Sequence, residues 1–413
     1  MATSGATMPT VDERGRPAWL EGLGGQLLAL LAAMGIALLA GSLITIAYGE
    51  SPLTVFGAIA EFSFGDITGF GYVLANATPL IFSALAVAVC FKGGMFNIGV
   101  EGQYIVGMMT AAWGALALDF LPGPLLMFAA IGCGMLGGMA FAAVPGVLKV
   151  KTGAHEVVTT IMMNGIAVSL VAWAIAGPLR YADTGGGFNV NLRTDPFADN
   201  ARIPDLGHLI GVGPSANLTW LFPAAVVTAI VVWFILRRMR LGYEARAVGA
   251  SAGTAQAAGI SIGGVQIKLF VLSGALAGLV GMQQLLGDKN FLPLGYEAVL
   301  GFTGIAVAFL GQNNPIGIIF AAILWGALAR GETAIQIETE LPREFIIILQ
   351  GILILSVVIT YQVAKRRLAA RQLQRAGAAG ELEDSAGPDE DAGPRGPEIT
   401  GREAFEGAGE GGV

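Results

Sequence analysis

Residues 67–91 read ITGFGYVLANATPLIFSALAVAVCF, a run without a single charged side chain. A helix needs about 20 apolar residues to cross a bilayer, and a charge near mid-depth costs at least ~2.5–3.5 kcal/mol. The run therefore predicts a membrane-spanning helix. Further charge-free runs cover 22–49, 102–118, 120–148, 157–179, 206–236, 269–287, 298–329 and 345–364.

Composition supports a membrane protein. The chain has 413 residues, of which 54% are hydrophobic and only 13% charged, and its mean hydropathy is +0.68. A soluble protein is about 25% charged, so a soluble enzyme is excluded, as are disordered, collagen-like and disulfide-scaffold proteins. The two cysteines, Cys90 and Cys133, lie in apolar runs.

The longest run, 298–329, would form a helix of about 48 Å. The polar sequence 311–315, GQNNP, interrupts it. We interpret it as two short helices around a turn, with a re-entrant hairpin as the alternative. The prediction is an all-α integral membrane protein with about ten transmembrane helices.

Lys and Arg set the orientation, because they are enriched in cytoplasmic loops. With the N-terminus inside, fifteen basic residues fall inside and six outside, so both termini are expected to be cytoplasmic. The predicted organisation is a cytoplasmic segment 1–21, a transmembrane domain 22–365 and an acidic, disordered tail 366–413. Within the domain, 178–216 is an extracytoplasmic loop and 237–263 a cytoplasmic segment.

Polar residues inside the predicted spans are candidates for a translocation path. Asn97 and Glu101 lie four residues apart in a segment rich in glycine, so they share a face if it is helical. One interpretation is a broken helix whose polar groups line a path; the other is a turn in which Glu101 caps a helix start. Further candidates are Asn76 and Thr78, beside Pro79, and Asn164.

Catalytic and metal sites are not predicted. The chain has two histidines and no GxxxxGK[ST] sequence, so it lacks a P-loop for ATP. Outside the acidic tail the net charge is about +1, and no basic patch suggests nucleic acid. The spacing of small residues in 134–138 and 274–278 favours close helix packing.

The segment 237–260 carries RAVG at 246–249 and AGI at 258–260. This pattern resembles the coupling segment of permease subunits in bacterial ATP-binding-cassette (ABC) importers, which docks on the ATPase. The resemblance makes six residues candidates for ATPase coupling: Tyr243, Glu244, Arg246, Gly249, Ala255 and Gly259.

Four other stretches resemble the nucleoside and simple-sugar branch of that family, in order from about 25 to 365. They are TPLI at 78–81, FKGGMFNIGVEGQ at 91–103, HEVVTTIMMN at 155–164, and GIAVAFLG with NNPIG at 304–317. The string FNIGVEGQ at 96–103 is the most specific and is similar to nucleoside-type members. The sequence departs from the family pattern at two places. Residues 251–253 are SAG, where Asn-Pro and a charged residue are common, and residue 165 is glycine, where the nucleoside branch usually has an aromatic residue.

The resemblance implies a type II importer permease, and hence a transport subunit, not an enzyme. It implies a tandem ATPase that binds ATP and Mg while this chain binds no cofactor. It also implies a second, homologous permease in a heterodimer, an extracytoplasmic solute-binding lipoprotein, a small-molecule solute and a multi-pass position in the bacterial inner membrane.

Nucleosides are the expected solute, with ribose or another simple sugar as the alternative. An ion-coupled secondary transporter would need paired carboxylates at mid-depth, whereas most acids here flank the spans. A purely structural scaffold is disfavoured by the polar, glycine-broken segment 93–103.

Overall fold

We describe a computed structural model of the chain in residues 34–181, 192–296, 299–342, 344–360 and 363. These residues are predominantly helical, and the only β-pairing among them is two isolated bridges, Arg193 with Pro293 and Asp205 with Thr219. The all-helical prediction is therefore confirmed for this part of the chain.

Thirteen α-helices lie within the described ranges. They are α1 (Met34–Ala47), α2 (Pro52–Phe64), α3 (Ile67–Lys92), α4 (Val100–Ala117), α5 (Pro124–Thr152), α6 (Glu156–Ala176), α7 (Leu221–Arg238), α8 (Arg240–Ala250), α9 (Ala252–Ala257), α10 (Ile262–Ala277), α11 (Leu300–Leu310), α12 (Pro315–Glu338) and α13 (Glu344–Thr360). A π-helix, Gln283–Lys289, follows α10.

Helix α3, which contains the run 67–91, is the centre of the protein. Its most apolar window is 94% buried, and α2, α7, α10, α11 and α12 pack around it. The Asp66 side chain accepts a hydrogen bond from the Gly69 N–H and so caps its start. Continuous Ala, Val and Leu let α3 bury every face, which a one-sided amphipathic helix could not do.

Helices α5 and α10 touch backbone to backbone. A Cβ added at Gly138 would collide with the carbonyl of Gly274, and one at Gly278 would collide with that of Gly134. The packing predicted from the small-residue spacing is confirmed, and the two glycine pairs face each other. A larger side chain at any of these positions would force the helices apart.

The run 298–329 forms two helices, as predicted. Helix α11 ends at the turn 311–314, and the Asn314 side chain caps α12 by accepting from the Ile316 N–H at 3.2 Å. However, α11 has only 11 residues and is about 16 Å long, half the ~30 Å of hydrocarbon. It starts beside Ser83, in the middle of α3, and ends with Phe309 packed on Phe91.

Three other boundaries differ from the prediction. Helix α2 was missed, because Glu50 and Glu61 leave a charge-free run, 51–60, that is too short for a span; the helix follows α1 after a bend of 119°. The run 206–236 becomes helical only at Leu221, and before that it forms 3₁₀ turns of the connecting loop. The run 269–287 divides into α10 and the π-helix.

Five described helices are long and apolar enough to cross a membrane, or six if α1 and α2 form one bent span. They are α3, α5, α6, α7 and α12. The count of ten and the orientation stay predictions. The cytoplasmic segment 1–21 and the tail 366–413 lie outside the described residues.

Candidate functional site

A cavity of about 430 Å³ lies between α3, α11, α12 and the π-helix. This volume is in the range of small-molecule sites. Its walls combine aromatic, amide and carboxylate side chains with apolar ones. They are Tyr72, Ala75, Asn76, Pro79, Leu80, Ala216, Asn217, Val280, Gln283, Gln284, Asp288, Leu300, Thr303, Trp325, Ala329 and Glu332.

Helical periodicity brings these side chains together. Trp325, Ala329 and Glu332 occupy positions i, i+4 and i+7 of α12, which share one face of a helix. Tyr72 and Asn76 stand four residues apart on α3 and face the same space. Because α3 and α12 pack against each other, the cavity is built on rigid membrane helices.

The π-helix supplies the polar side of the cavity. Gln283 accepts a hydrogen bond from the Thr219 hydroxyl at 2.7 Å and donates one to the Asn217 carbonyl. Asn217 in turn donates to the Asp288 carboxylate at 3.0 Å, and Lys289 pairs with Asp288 at 3.1 Å. Wide π-turns of this kind often occur at functional sites. Here one attaches the connection before α7 to the cavity wall.

Among the predicted path residues, the structure places Asn76 on the cavity. Thr78 is fully buried and donates to the Leu74 carbonyl of its own helix at 2.8 Å. Asn164 of α6 accepts from the Gly102 N–H at 2.9 Å and donates to the Ile98 carbonyl at 3.1 Å. Thr78 thus bonds within α3, and Asn164 joins α6 to the start of α4.

Asn97 is fully buried in a network that joins three helices. Its amide N–H groups donate to Gln103 Oε1 at 3.0 Å and to Ser273 Oγ at 2.9 Å, and its oxygen accepts from the Gly99 N–H. Ser273 of α10 continues the network by donating to the Ala86 carbonyl of α3 at 2.7 Å. Buried and satisfied networks of this kind specify how helices pack.

Glu101 joins α4 to α11. Its carboxylate accepts hydrogen bonds from the N–H groups of Val299 at 2.7 Å and Gly301 at 2.8 Å, and from the Tyr104 hydroxyl at 3.2 Å. The positive end of the α11 dipole stabilises its negative charge. Glu101 therefore caps a helix start, as in the second interpretation. The capped helix, however, is α11, which lies about 200 residues further along the chain. Contact of Glu101, Asn97 or Asn164 with a solute stays a prediction.

The segment 237–263 forms α8, α9 and their flanks. Tyr243 and Arg246 are exposed, although the Arg246 guanidinium also donates to the Leu236 carbonyl. Glu244 is buried and pairs with Arg240 at 2.6 Å. Ser251 separates the helices and caps α9 through the Thr254 N–H. The segment is an ordered unit, and its basic residues face outward.

Two of the coupling candidates are in close contact with the rest of the chain, although Gly249 is itself exposed. A Cβ at Gly249 would collide with the Lys92 carbonyl, and Ala255 is only 3% exposed. The neighbouring small residues instead form an exposed surface, which we call the small-residue surface. It comprises Ala250, Ala252, Gly253, Ala257 and Ala258. The last candidate, Gly259, is exposed, with a φ of +77° that ends α9.

Sequence reasoning missed Trp325, Glu332 and the π-helix residues. Glu332 follows the charge-free run 298–329 and therefore resembled an acid that flanks a span, whereas α12 continues to Glu338. The i, i+4, i+7 spacing from Trp325 could have indicated a shared face. No group of three or more His, Cys, Asp or Glu side chains in the described ranges could hold a metal.

A family model described as "branched-chain amino acid transport system / permease component" matches residues 69–358. The guanosine ABC transporter permease protein NupP of Bacillus subtilis is 36% identical over 85% of this chain and 98% of its own length. The nucleoside ABC transporter permease protein NupB of Lactococcus lactis is 30% identical, over 81% and 92%. The glucose ABC transporter permease protein TsgB13 of Haloferax volcanii is 29% identical, over 85% and 90%.

Proposed function

The chain belongs to the permease family of the branched-chain amino acid transport system type, and on that premise we propose that it carries nucleosides through the membrane as a subunit of an ABC importer. As a multi-pass membrane permease it is a transport component, not an enzyme. The observation that supports the solute is the cavity. Aromatic Trp325 and Tyr72 suit a base, and the amides of Asn76 and Gln283 suit its polar edge.

Glucose is the alternative solute, because one relative is named as a glucose permease. Sugar recognition needs many polar groups around the ligand, whereas this cavity also has Val280, Leu300 and Ala329 in its walls. The mixture of apolar and amide groups favours a ring with a flat apolar face. The two relatives named for guanosine and nucleosides point the same way.

Competition for uptake tests the solute. In cells that express the chain with its ATPase, second permease and lipoprotein, we expect radiolabelled guanosine uptake to be suppressed by excess unlabelled nucleosides. Excess glucose or ribose should leave it unchanged. Cells without this permease provide the background. Glucose uptake by the complex, with no nucleoside uptake, would contradict the proposal.

Energy would come from a partner ATPase that binds ATP and Mg. This partner would be a tandem ATPase, and it would dock on the small-residue surface. From there, contacts continue through Gly249, which packs on Lys92 and Gly94 at the end of α3. The segment 93–99 then continues from α3 into α4, where Glu101 binds the start of α11. Leu300, at that start, lines the cavity. A movement of α8 can thus reach the cavity through packed backbone.

The remaining architecture is part of the proposal. About ten helices, the short α11 among them, would be embedded in the bacterial inner membrane, with both ends cytoplasmic, and a second permease would complete the pathway as a heterodimer. The loop 178–216 would meet the solute-binding lipoprotein. Asn217 and Asp288, near that loop, would place the cavity in the outer half of the membrane.

Cysteine labelling tests this orientation. With Cys90 and Cys133 replaced, we expect an impermeant thiol reagent on intact cells to label Ser215→Cys and to spare Gly253→Cys. Both positions are exposed on this chain, so in cells that express it without the ATPase and the lipoprotein, access depends on the side of the membrane alone. Permeabilised cells should label both variants, which controls for reactivity. The reverse pattern in intact cells would contradict the topology.

A further inference from the structure

Glu332 is a carboxylate on a helix that is long and apolar enough to cross a membrane, and the fold leaves its role unassigned. It lies about 26 Å along α12 from Pro315. It is partly buried and lines the cavity. Ionisable side chains in membrane helices are rare and generally functional, because an unpaired charge there is expensive.

Asn76 apart, the charged and amide side chains on the π-helix side of the cavity have partners within the protein. Asp288 binds Asn217 and Lys289, and Gln283 binds Thr219. The nearest cation in sequence, Arg330, lies over the Tyr72 ring at 4.1 Å. By contrast, Glu332 makes no hydrogen bond or ion pair with any residue in the described ranges. Its two oxygens are acceptors that face a cavity.

We propose that Glu332 binds the solute through two neighbouring hydroxyl groups, the ribose diol of a nucleoside. A carboxylate has two oxygens that accept hydrogen bonds side by side, so it fits a vicinal diol. Trp325 lies on the same face, about 10 Å away along α12, and offers its ring to the base. A base joined to its ribose can bridge these two residues.

The inference rests on the proposed nucleoside function and makes it more specific. Trp325 and the amides recognise the base, and Glu332 distinguishes a ribonucleoside from an analogue that lacks the hydroxyls. Hydrogen bonds to a charged group are stronger than neutral ones. Losing even one of them should weaken binding roughly ten- to a hundredfold.

Binding to the purified permease–ATPase complex in nanodiscs, without the lipoprotein, tests this role. We expect the wild type to bind guanosine at least about tenfold more tightly than 2′,3′-dideoxyguanosine. Glu332→Gln should bind guanosine only as tightly as the dideoxy compound and should bind the dideoxy compound like the wild type. Glu338→Gln, at the exposed end of the same helix, is the matched control and should behave as wild type.

The binding results distinguish a failure of the Glu332 role from a failure of the proposed function. Equal guanosine affinity in the wild type and Glu332→Gln would overturn the role of Glu332 alone, and so would an equal loss of affinity for both compounds. A wild-type complex that binds ribose or glucose but not guanosine would overturn the nucleoside function itself. A wild-type complex that binds none of these solutes would overturn the cavity as a binding site.

Discussion

Glu101→Ala is expected to abolish uptake and to lower the thermal stability of the purified protein. The substitution removes the shared acceptor of the Val299 and Gly301 N–H groups, which begin α11. The Gly301 N–H is buried, and a buried donor left without a partner costs about 1–3 kcal/mol. Val299 is also a β-branched residue with a φ of +77°, a conformation that needs support from its surroundings. Loss of that support should release the start of α11 and disturb the cavity wall at Leu300.

Two further variants make this result specific. Glu101→Gln keeps one acceptor oxygen and the side-chain length, so uptake should fall by at least about tenfold with a smaller loss of stability. Glu61→Ala removes an exposed carboxylate from α2 and should change neither quantity. Melting of each variant in detergent and initial rates of guanosine uptake are the measurements. Full stability and normal uptake in Glu101→Ala would contradict the capping role.

The helical fold was largely predictable, because charged side chains are costly in lipid and membrane spans therefore lack them. Helices α3, α4, α5 and α6 begin and end close to the charge-free runs. The rule fails where apolar sequence is not a span: 206–220 lies in a connecting loop, and α11 is too short to cross. It also fails for α2, which contains Glu61. The distribution of charged residues along the sequence does not determine where a helix bends or ends.

The site was less predictable, because its geometry depends on partners distant in the chain. Asn97 and Glu101 were recognised as unusual, but their partners Ser273 and Val299 lie 176 and 198 residues away. A local pattern carries no information about those contacts. Asn76 and Thr78 are two positions apart on one helix and therefore face different directions, but only the packing of the other helices shows that the Asn76 side meets the cavity.

The second large effect is expected at Gly253, on the small-residue surface. A Cβ at this position meets nothing within 4 Å, so a tryptophan can be accommodated without disturbing the chain. Gly249 and Ala255 are unsuitable, because a Cβ at Gly249 would collide with the Lys92 carbonyl and Ala255 is buried. A larger side chain at either position would test folding and not docking. If an ATPase docks here through close contact with small side chains, Gly253→Trp should separate the two proteins. Uptake should then fall below about one tenth, because transport loses its energy source.

A matched variant separates docking from a general effect of a large side chain. Gly295 is exposed, lies in the segment after the π-helix and also has open space around its Cβ. Its predicted position is extracytoplasmic, so Gly295→Trp should leave the ATPase attached and active. Both variants should be expressed at the wild-type level, since neither buries the new ring inside the permease.

The amount of ATPase that co-purifies with Gly253→Trp, measured together with ATP-dependent guanosine uptake in proteoliposomes, tests the central claim most directly. A permease driven from this surface predicts that Gly253→Trp loses both the ATPase and uptake, while Gly295→Trp keeps both. Normal, ATP-dependent guanosine uptake by Gly253→Trp would contradict docking at the small-residue surface. Guanosine uptake that needs an ion gradient and no ATP would contradict the importer itself.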